Sequence, residues 1–170
     1  MGETTDNAGA GKIGHSNIIR RVSFMVADVE ATAGFYQQVF GWTRFYDAET
    51  PVDRHFPPCA PDQTPAHIII LQADDPNIGM VGFMEYVGVK PETRVDKDRD
   101  SLGLGDSILI IEAEDIQATY EKARSAGARL VCEPREWTVT AGSGDGLIHI
   151  STFSFFDPNG LYVEVNMRLS

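Results

Sequence analysis

The chain spells one structural unit twice. Arg21-Val22-Ser23-Phe24-Met25-Val26 alternates apolar residues with polar or flexible ones, the period of a half-buried strand. Asp28 follows as a helix N-cap, a side chain able to accept from the free backbone N–H groups of a first turn. Val29, Ala33, Tyr36 and Phe40 then recur at helical spacing as one apolar stripe, and Gly41 supplies the stop. Trp42 to Tyr46 reads as the next strand. The pattern returns with a cap 87 residues later: strand Ser107 to Ala113, cap Asp115, stripe Ile116, Tyr120 and Ala123, stop Gly127, strand Ala128 to Cys132. That period is far longer than a solenoid's, so the chain holds two copies of one larger module.

Each copy continues as β structure. His67 to Leu71 and Met80 to Val87 are strands of the first; Ile148 to Phe156 and Leu161 to Val165 are strands of the second. The last two are joined by Asp157-Pro158-Asn159-Gly160, a strong turn because Pro presets φ and Asn-Gly tolerates positive φ. Each half therefore reads β-α-β-β-β. A half this small cannot bury both faces of its sheet, so the halves are expected to pair into one globular domain. Two stretches lack periodicity. Asp47 to Ala66 carries five prolines and is a candidate lid or rim. Gly88 to Asp106 is charged and reads as an exposed linker. The expected division is a flexible tail over residues 1–17, modules over 18–87 and 107–170, and the linker over 88–106.

Composition narrows the function. The 170 residues carry a formal net charge of −11, which repels phosphate backbones and anionic lipid, so nucleic-acid and membrane partners are not expected. No apolar run approaches the length of a membrane span. Cys59 and Cys132 stand far apart outside any C-x-x-C pair, and two free thiols in a cytoplasmic protein are expected. The chain has no G-x-G-x-x-G element, P-loop or serine nucleophile elbow.

Val26-Ala27-Asp28-Val29-Glu30, followed by Phe35-Tyr36 and Phe40-Gly41-Trp42, resembles the opening signature of the vicinal-oxygen-chelate superfamily, which includes glyoxalase I, bleomycin-resistance proteins and extradiol dioxygenases. Phe156-Asp157-Pro158-Asn159-Gly160-Leu161-Tyr162-Val163-Glu164-Val165 resembles its closing signature. The resemblance runs from about Ile18 to Met167. It implies an α+β fold in which two βαβββ modules form an open, cup-like barrel, with a small-molecule site inside the cup and a homodimer as the common assembly.

The resemblance also implies a divalent metal held from four strand positions, mostly by His or Glu. Carried over one at a time, these fall on Arg21, Glu85, Ile108 and Glu164. Arg has no lone pair to give and Ile no donor atom, so no metal cofactor is expected. A bulge bringing Asp106 or Ser107 into the third position would change that. Arg21, Glu85 and Glu164 are expected to point into one cup, with the guanidinium where the cation stood, either as a structural ion pair or as part of a site. Glu85 and Glu164 are the candidate acid–base pair. Arg21, Ser23, Ile108, His149 and Tyr162 are the candidate ligand-binding residues, a structural role for His149 being the alternative. His15 falls in the tail, His55 on the proline-rich rim and His67 at a strand edge. Most of Phe83, Tyr86, Phe153, Phe155 and Tyr162 read as core. Two functions compete: a glyoxalase-like lyase or isomerase acting on a small carbonyl compound without metal, and a metal-independent binding or resistance protein for an antibiotic or aromatic metabolite. A metal-dependent dioxygenase is disfavoured by the missing imidazoles.

Overall fold

The computed structural model describes residues 18–55, 57, 61–93, 95–142, 144 and 146–169. The expected tail with His15, and Cys59 in the proline-rich stretch, lie outside them; Cys132 carries a free thiol. The first module runs β1 (Arg21–Met25), α1 (Val29–Phe40), β2 (Thr43–Val52), β3 (Thr64–Gln72) and β4 (Met80–Tyr86). The second runs β5 (Ile108–Glu112), α2 (Ile116–Ser125), β6 (Arg129–Thr140), β7 (Leu147–Phe156) and β8 (Tyr162–Arg168).

The repeat extends to the helix caps. Asp28 accepts from the Ala31 amide at 2.8 Å and Asp115 from the Ala118 amide at 2.9 Å. Gly41 ends α1 at φ 73°, and Gly127 follows α2 at φ 85°, both in the left-handed region that glycine enters without Cβ strain. The two sheets have the same order, β1-β4-β3-β2 and β5-β8-β7-β6, with one parallel pair in each. Their registers also match. Arg21 and Ser23 stand beside Met80 and Gly82; Ile108 and Ile110 stand beside Tyr162 and Glu164. Among the described residues no strand ladder joins the two sheets, which are not closed into a barrel.

One core holds both modules. Ile69, Phe83, Phe153, Phe155, Val163 and Val165 lie with Ala33 and Tyr36 of α1 and Tyr120 of α2 in a single buried cluster. Each large side chain so buried contributes about 1.5–3 kcal/mol. The modules cross here: Phe155 packs edge-on against Phe35 at 5.9 Å and stacks with Phe40 at 6.5 Å. The Asp-Pro-Asn-Gly turn is more than a turn. Tyr36 Oη donates to Asp157 Oδ2 at 3.2 Å, and Asn159 Nδ2 donates to Thr32 Oγ1 at 3.0 Å, so the turn clasps α1 of the other module.

Two of the aperiodic stretches take on structure. The ends of the proline-rich stretch are strand, with β2 running to Val52, β3 starting at Thr64 and Pro51 opposite Pro65 in their ladder. Tyr86 Oη donates to the Pro57 carbonyl at 3.1 Å, between those ends. The segment between the modules has mostly exposed side chains but is fastened down. Arg99 donates twice to the Gly160 carbonyl, at 3.2 and 2.9 Å, and pairs with Asp106 at 2.6 Å. The Phe156 ring meets the guanidiniums of Arg99 and Arg129, at 5.6 and 4.4 Å from its centroid. No described helix is long and apolar enough to cross a membrane.

Candidate functional site

Side chains alternate between the faces of a strand, so the core fixes which residues look the other way. Phe24, Phe83 and Ile69 pack toward the helices. Arg21, Ser23, Gly82, Met84 and Ile68 therefore share the open face of the first sheet. Leu109, Val163, Val165 and Phe153 pack toward the helices in the second module. Ile108, Ile110, Tyr162, Glu164, Asn166 and Thr152 share its open face. These two open faces are the cup faces.

The second cup face carries a continuous polar chain. Trp137 Nε1 donates to Thr152 Oγ1 at 2.8 Å, Thr152 donates to Asn166 Oδ1 at 2.5 Å, and Asn166 Nδ2 donates to Glu164 Oε1 at 3.0 Å. Trp137 and Thr152 each spend their one proton and Asn166 one of its two N–H groups, and the run ends on a carboxylate. Among the described residues no cation pairs with Glu164, and its second oxygen accepts no hydrogen bond. Apolar surface flanks it. Ile110, its ladder neighbour, is 61% exposed and Ile108 is 50% exposed. Tyr162 stands beside Ile108 with its ring against Phe156 at 5.3 Å.

The first cup face is different. A Cβ on Gly82 would lie 2.6 Å from Ser23 Oγ and 3.2 Å from Arg21 Cδ, so the neighbouring stems fill the space a side chain needs. Beyond Gly82 the face is apolar: Ile68 and Met84 pack against Val52, Ala66 and Tyr86. Arg21 is exposed and makes no ion pair among the described residues. It lines a shallow cleft of about 280 Å³ with Val22, Ile110 and Glu112; Glu164 does not line this cleft.

Two expected site residues face the wrong way. Glu85 follows Met84 by one residue and so lies on the helix side, where its Oε2 accepts the Val29 amide at 3.0 Å. It satisfies a free N–H of the first turn of α1. It does not converge with Glu164, and the expected trio of Arg21, Glu85 and Glu164 is not formed. His149 shares its face with Phe153 and Phe155, which are core; it leaves the cup for the helix side, 3.6 Å from Glu136. Arg21, Ser23, Ile108, Tyr162 and Glu164 do occupy cup faces. Asn166, Thr152 and Trp137 were not singled out from the sequence. Asn166 was within reach, since it alternates in step with Glu164, and the hairpin register then gives Thr152. Trp137 was not, because two bulges, between Leu130 and Cys132 and between Cys132 and Arg135, break the alternation of β6.

A second polar cluster lies on the helix-side rim of the first module. His67 Nε2 contacts Asp47 Oδ1 at 2.7 Å, and Glu30 completes a group whose ligand atoms all lie within 4.8 Å. Arg44 already bridges Glu30 and Asp47. Arg44 holds the Glu30 carboxyl below its ordinary range; His67 and then Arg44 do so for Asp47. The cluster is charge-compensated and remote from either cup face.

The sequence pattern of the Glyoxalase/Bleomycin resistance protein/Dioxygenase superfamily matches residues 18–165. The chain belongs to that superfamily. No curated protein matches it. Among solved structures, a glyoxalase family protein from Bacillus cereus is similar over 93% of this chain and 99% of its own, at TM-score 0.67 and 13% identity. The trypanothione-dependent glyoxalase I of Leishmania major covers 88% of this chain over 86% of its own, at TM-score 0.58 and 15% identity. TioX from Micromonospora sp. ML1 covers 90% over 100%, at TM-score 0.51 and 16% identity. Such identities speak for the fold alone.

Within the superfamily's four-position metal seat, the register changes one assignment. Arg21 and Ile108 each stand seven residues before a capping Asp. Glu164 stands beside Ile110, and the residue in the same place of the first sheet is Gly82, beside Ser23. The four positions are then Arg21, Gly82, Ile108 and Glu164, with one donor side chain among them. One carboxylate, one guanidinium and two residues without donor atoms do not fit zinc, nickel or iron.

Proposed function

We propose that this superfamily member binds a small organic molecule on the cup face of its second module, without a resident metal ion. One observation carries the reading: Gly82, not Glu85, holds the place equivalent to Glu164, so Glu164 is the one donor left among the four seat positions, held by Asn166 and flanked by exposed isoleucines. Glu85, the expected acid–base partner of Glu164, is spent on the Val29 amide on the other side of its sheet, which favours binding over turnover. The test is reconstitution with zinc, nickel and iron followed by elemental analysis, alongside a ligand screen by thermal shift. The reading expects sub-stoichiometric metal and ligand shifts that survive chelation. Stoichiometric metal lost on Glu164→Gln would overturn it.

The lyase or isomerase reading keeps one support, the free oxygen of Glu164, which is placed to take a proton. It requires turnover of a small carbonyl compound that collapses in Glu164→Gln. A homodimer is part of the proposal. β1 is a sheet edge, and Val22 and Met25 on it are 42% and 39% exposed, apolar surface that a second copy would cover. Sedimentation of the full chain tests it, and a monomer at all concentrations overturns it.

A further inference from the structure

The polar chain has a direction, and the direction constrains the ligand. Trp137, Thr152 and Asn166 each donate toward the next, and the last donation reaches Glu164 Oε1. Thr152 and Asn166 are thereby locked: the hydroxyl proton and one amide N–H are committed, and Asn166 turns its oxygen away from Glu164 toward Thr152. What the site presents outward at its end is a carboxylate oxygen, Glu164 Oε2, with no cation paired to it among the described residues. The cations on the same open face lie elsewhere. Arg168 is four residues along β8, about 13 Å away at the rise of a strand; Arg135 and Arg129 are on β6, beyond the intervening β7, and Arg129 with Arg99 is engaged on the Phe156 ring. Arg21 belongs to the other module's face and lines a cleft that Glu164 does not reach. On β5 the carboxylate has Ile110 beside it and Ile108 one step further on the same strand face, both half-exposed or more, and one step the other way is a second carboxylate, Glu112, beside Asn166.

We infer that the ligand of this face is an amphipathic organic cation: a protonated amine or amidine that donates to Glu164 Oε2, carried on an apolar body that covers Ile108 and Ile110. The inference rests on the binding function proposed above and narrows it. A charge-assisted bond from an ammonium to a carboxylate is the strong case of hydrogen bonding, and here it meets no competing internal partner. The net charge of −11 draws cations toward the molecule and repels carboxylate ligands. A neutral alcohol retains the apolar contact and loses the charge attraction; an acid with the same body meets like-charge repulsion from Glu164.

Three matched probes separate these terms: 2-naphthylmethylamine, 2-naphthalenemethanol and 2-naphthoic acid, titrated calorimetrically into the full-length protein. The wild type is expected to bind the amine about tenfold more tightly than the alcohol, the worth of one bond to a charged group, and the acid not measurably. Glu164→Gln keeps the hydrogen-bonding shape and loses the charge, so the amine falls to the level of the alcohol and the alcohol is unchanged. The wild type gives a second reading that does not depend on a variant folding: raising salt to about 0.5 M weakens the amine and leaves the alcohol alone. Equal binding of amine and alcohol, with both lost in Ile110→Asp, overturns the cation inference and leaves the binding function standing. Binding by none of the three overturns both.

Discussion

Gly82 and Glu164 hold the same place in two sheets of identical order, one beside Ser23 and the other beside Ile110. What surrounds them differs. On the first face Ser23 Oγ and Arg21 Cδ crowd the position, and the strands beyond it close over an apolar cluster anchored by Tyr86. On the second face the position is roomy, and four side chains from three strands are wired into one chain. The same backbone therefore serves as a packed wall in one module and as a chemical surface in the other. Symmetry of fold has not brought symmetry of side chains, since Gly82 and Glu164 offer different chemistry at the same place.

The turns sharpen the comparison. Asp75-Pro76-Asn77 and Asp157-Pro158-Asn159 make the same bond pattern, with the Asp Oδ1 accepting the amide two residues on at 2.7 and 2.8 Å. Gly79 and Gly160 both adopt positive φ, 74° and 82°, but around Gly79 there is open space while a Cβ on Gly160 would sit 2.8 Å from Lys97 Cα. Gly79→Ala is expected to cost about 1–2 kcal/mol, the strain of a left-handed L-residue alone. Gly160→Ala adds a collision with backbone that cannot rotate away, and about 2–4 kcal/mol is expected. Urea denaturation of both variants measures the gap. Equal losses would show that the segment between the modules does not rest on the second turn.

Making the first face resemble the second is the next test. Gly82→Glu forces a side chain against Ser23 and is expected to destabilise by about 1–3 kcal/mol. Adding Ser23→Ala removes the nearest atom and should return a good part of that loss. A Gly82→Glu protein as stable as the wild type would mean the first face is not crowded after all. A smaller effect is expected from the reverse direction. Asn166→Ala cuts the chain on the second face and leaves Thr152 without an acceptor, costing about 1 kcal/mol, whereas Ser23→Ala alone on the first face is expected within about 0.5 kcal/mol. If Asn166→Ala were silent, the chain would be a surface arrangement without energetic weight.

Much of this was readable from the residues, and the failures share a cause. The caps Asp28 and Asp115, the stops and the duplicated strand order follow from local chemistry and spacing, which a sequence displays directly. Faces are harder, because one residue of register reverses them. Glu85 was placed by its nearness to a strand end; alternation from Phe83, a core residue, puts it on the helix side, and counting from the parallel partner strand leads to Gly82. His149 fails the same way against Phe153 and Phe155. Trp137 is the opposite case. Bulges in β6 reset its alternation, and nothing in the order of residues announces them. The fastening of residues 96–106 was also hidden, since Arg99, Asp106 and Gly160 meet only through tertiary contacts.

The least conspicuous difference between the modules is electrostatic. Asp75 makes its turn exposed to solvent, whereas Asp157 makes the same turn at 4% exposure, against Tyr36 of α1. Burial raises the Asp157 carboxyl above its ordinary value of 3.8, and the amides of Leu161 and Asn159 offset only part of that. Because the folded state holds this proton more tightly than the unfolded state, the associated stability is complete below pH 3.8 and is lost as pH rises through the raised folded value. Asp157→Asn keeps the size of the group and removes its titration. The stability of the wild type relative to Asp157→Asn should therefore fall as pH is raised from about 3 toward neutrality, and Asp75→Asn serves as the control for the turn itself. Thermal melts of the three proteins across that range measure it. Parallel curves for wild type and Asp157→Asn would mean that the clasp between the modules holds its carboxylate without electrostatic cost, and that the two turns differ in position alone.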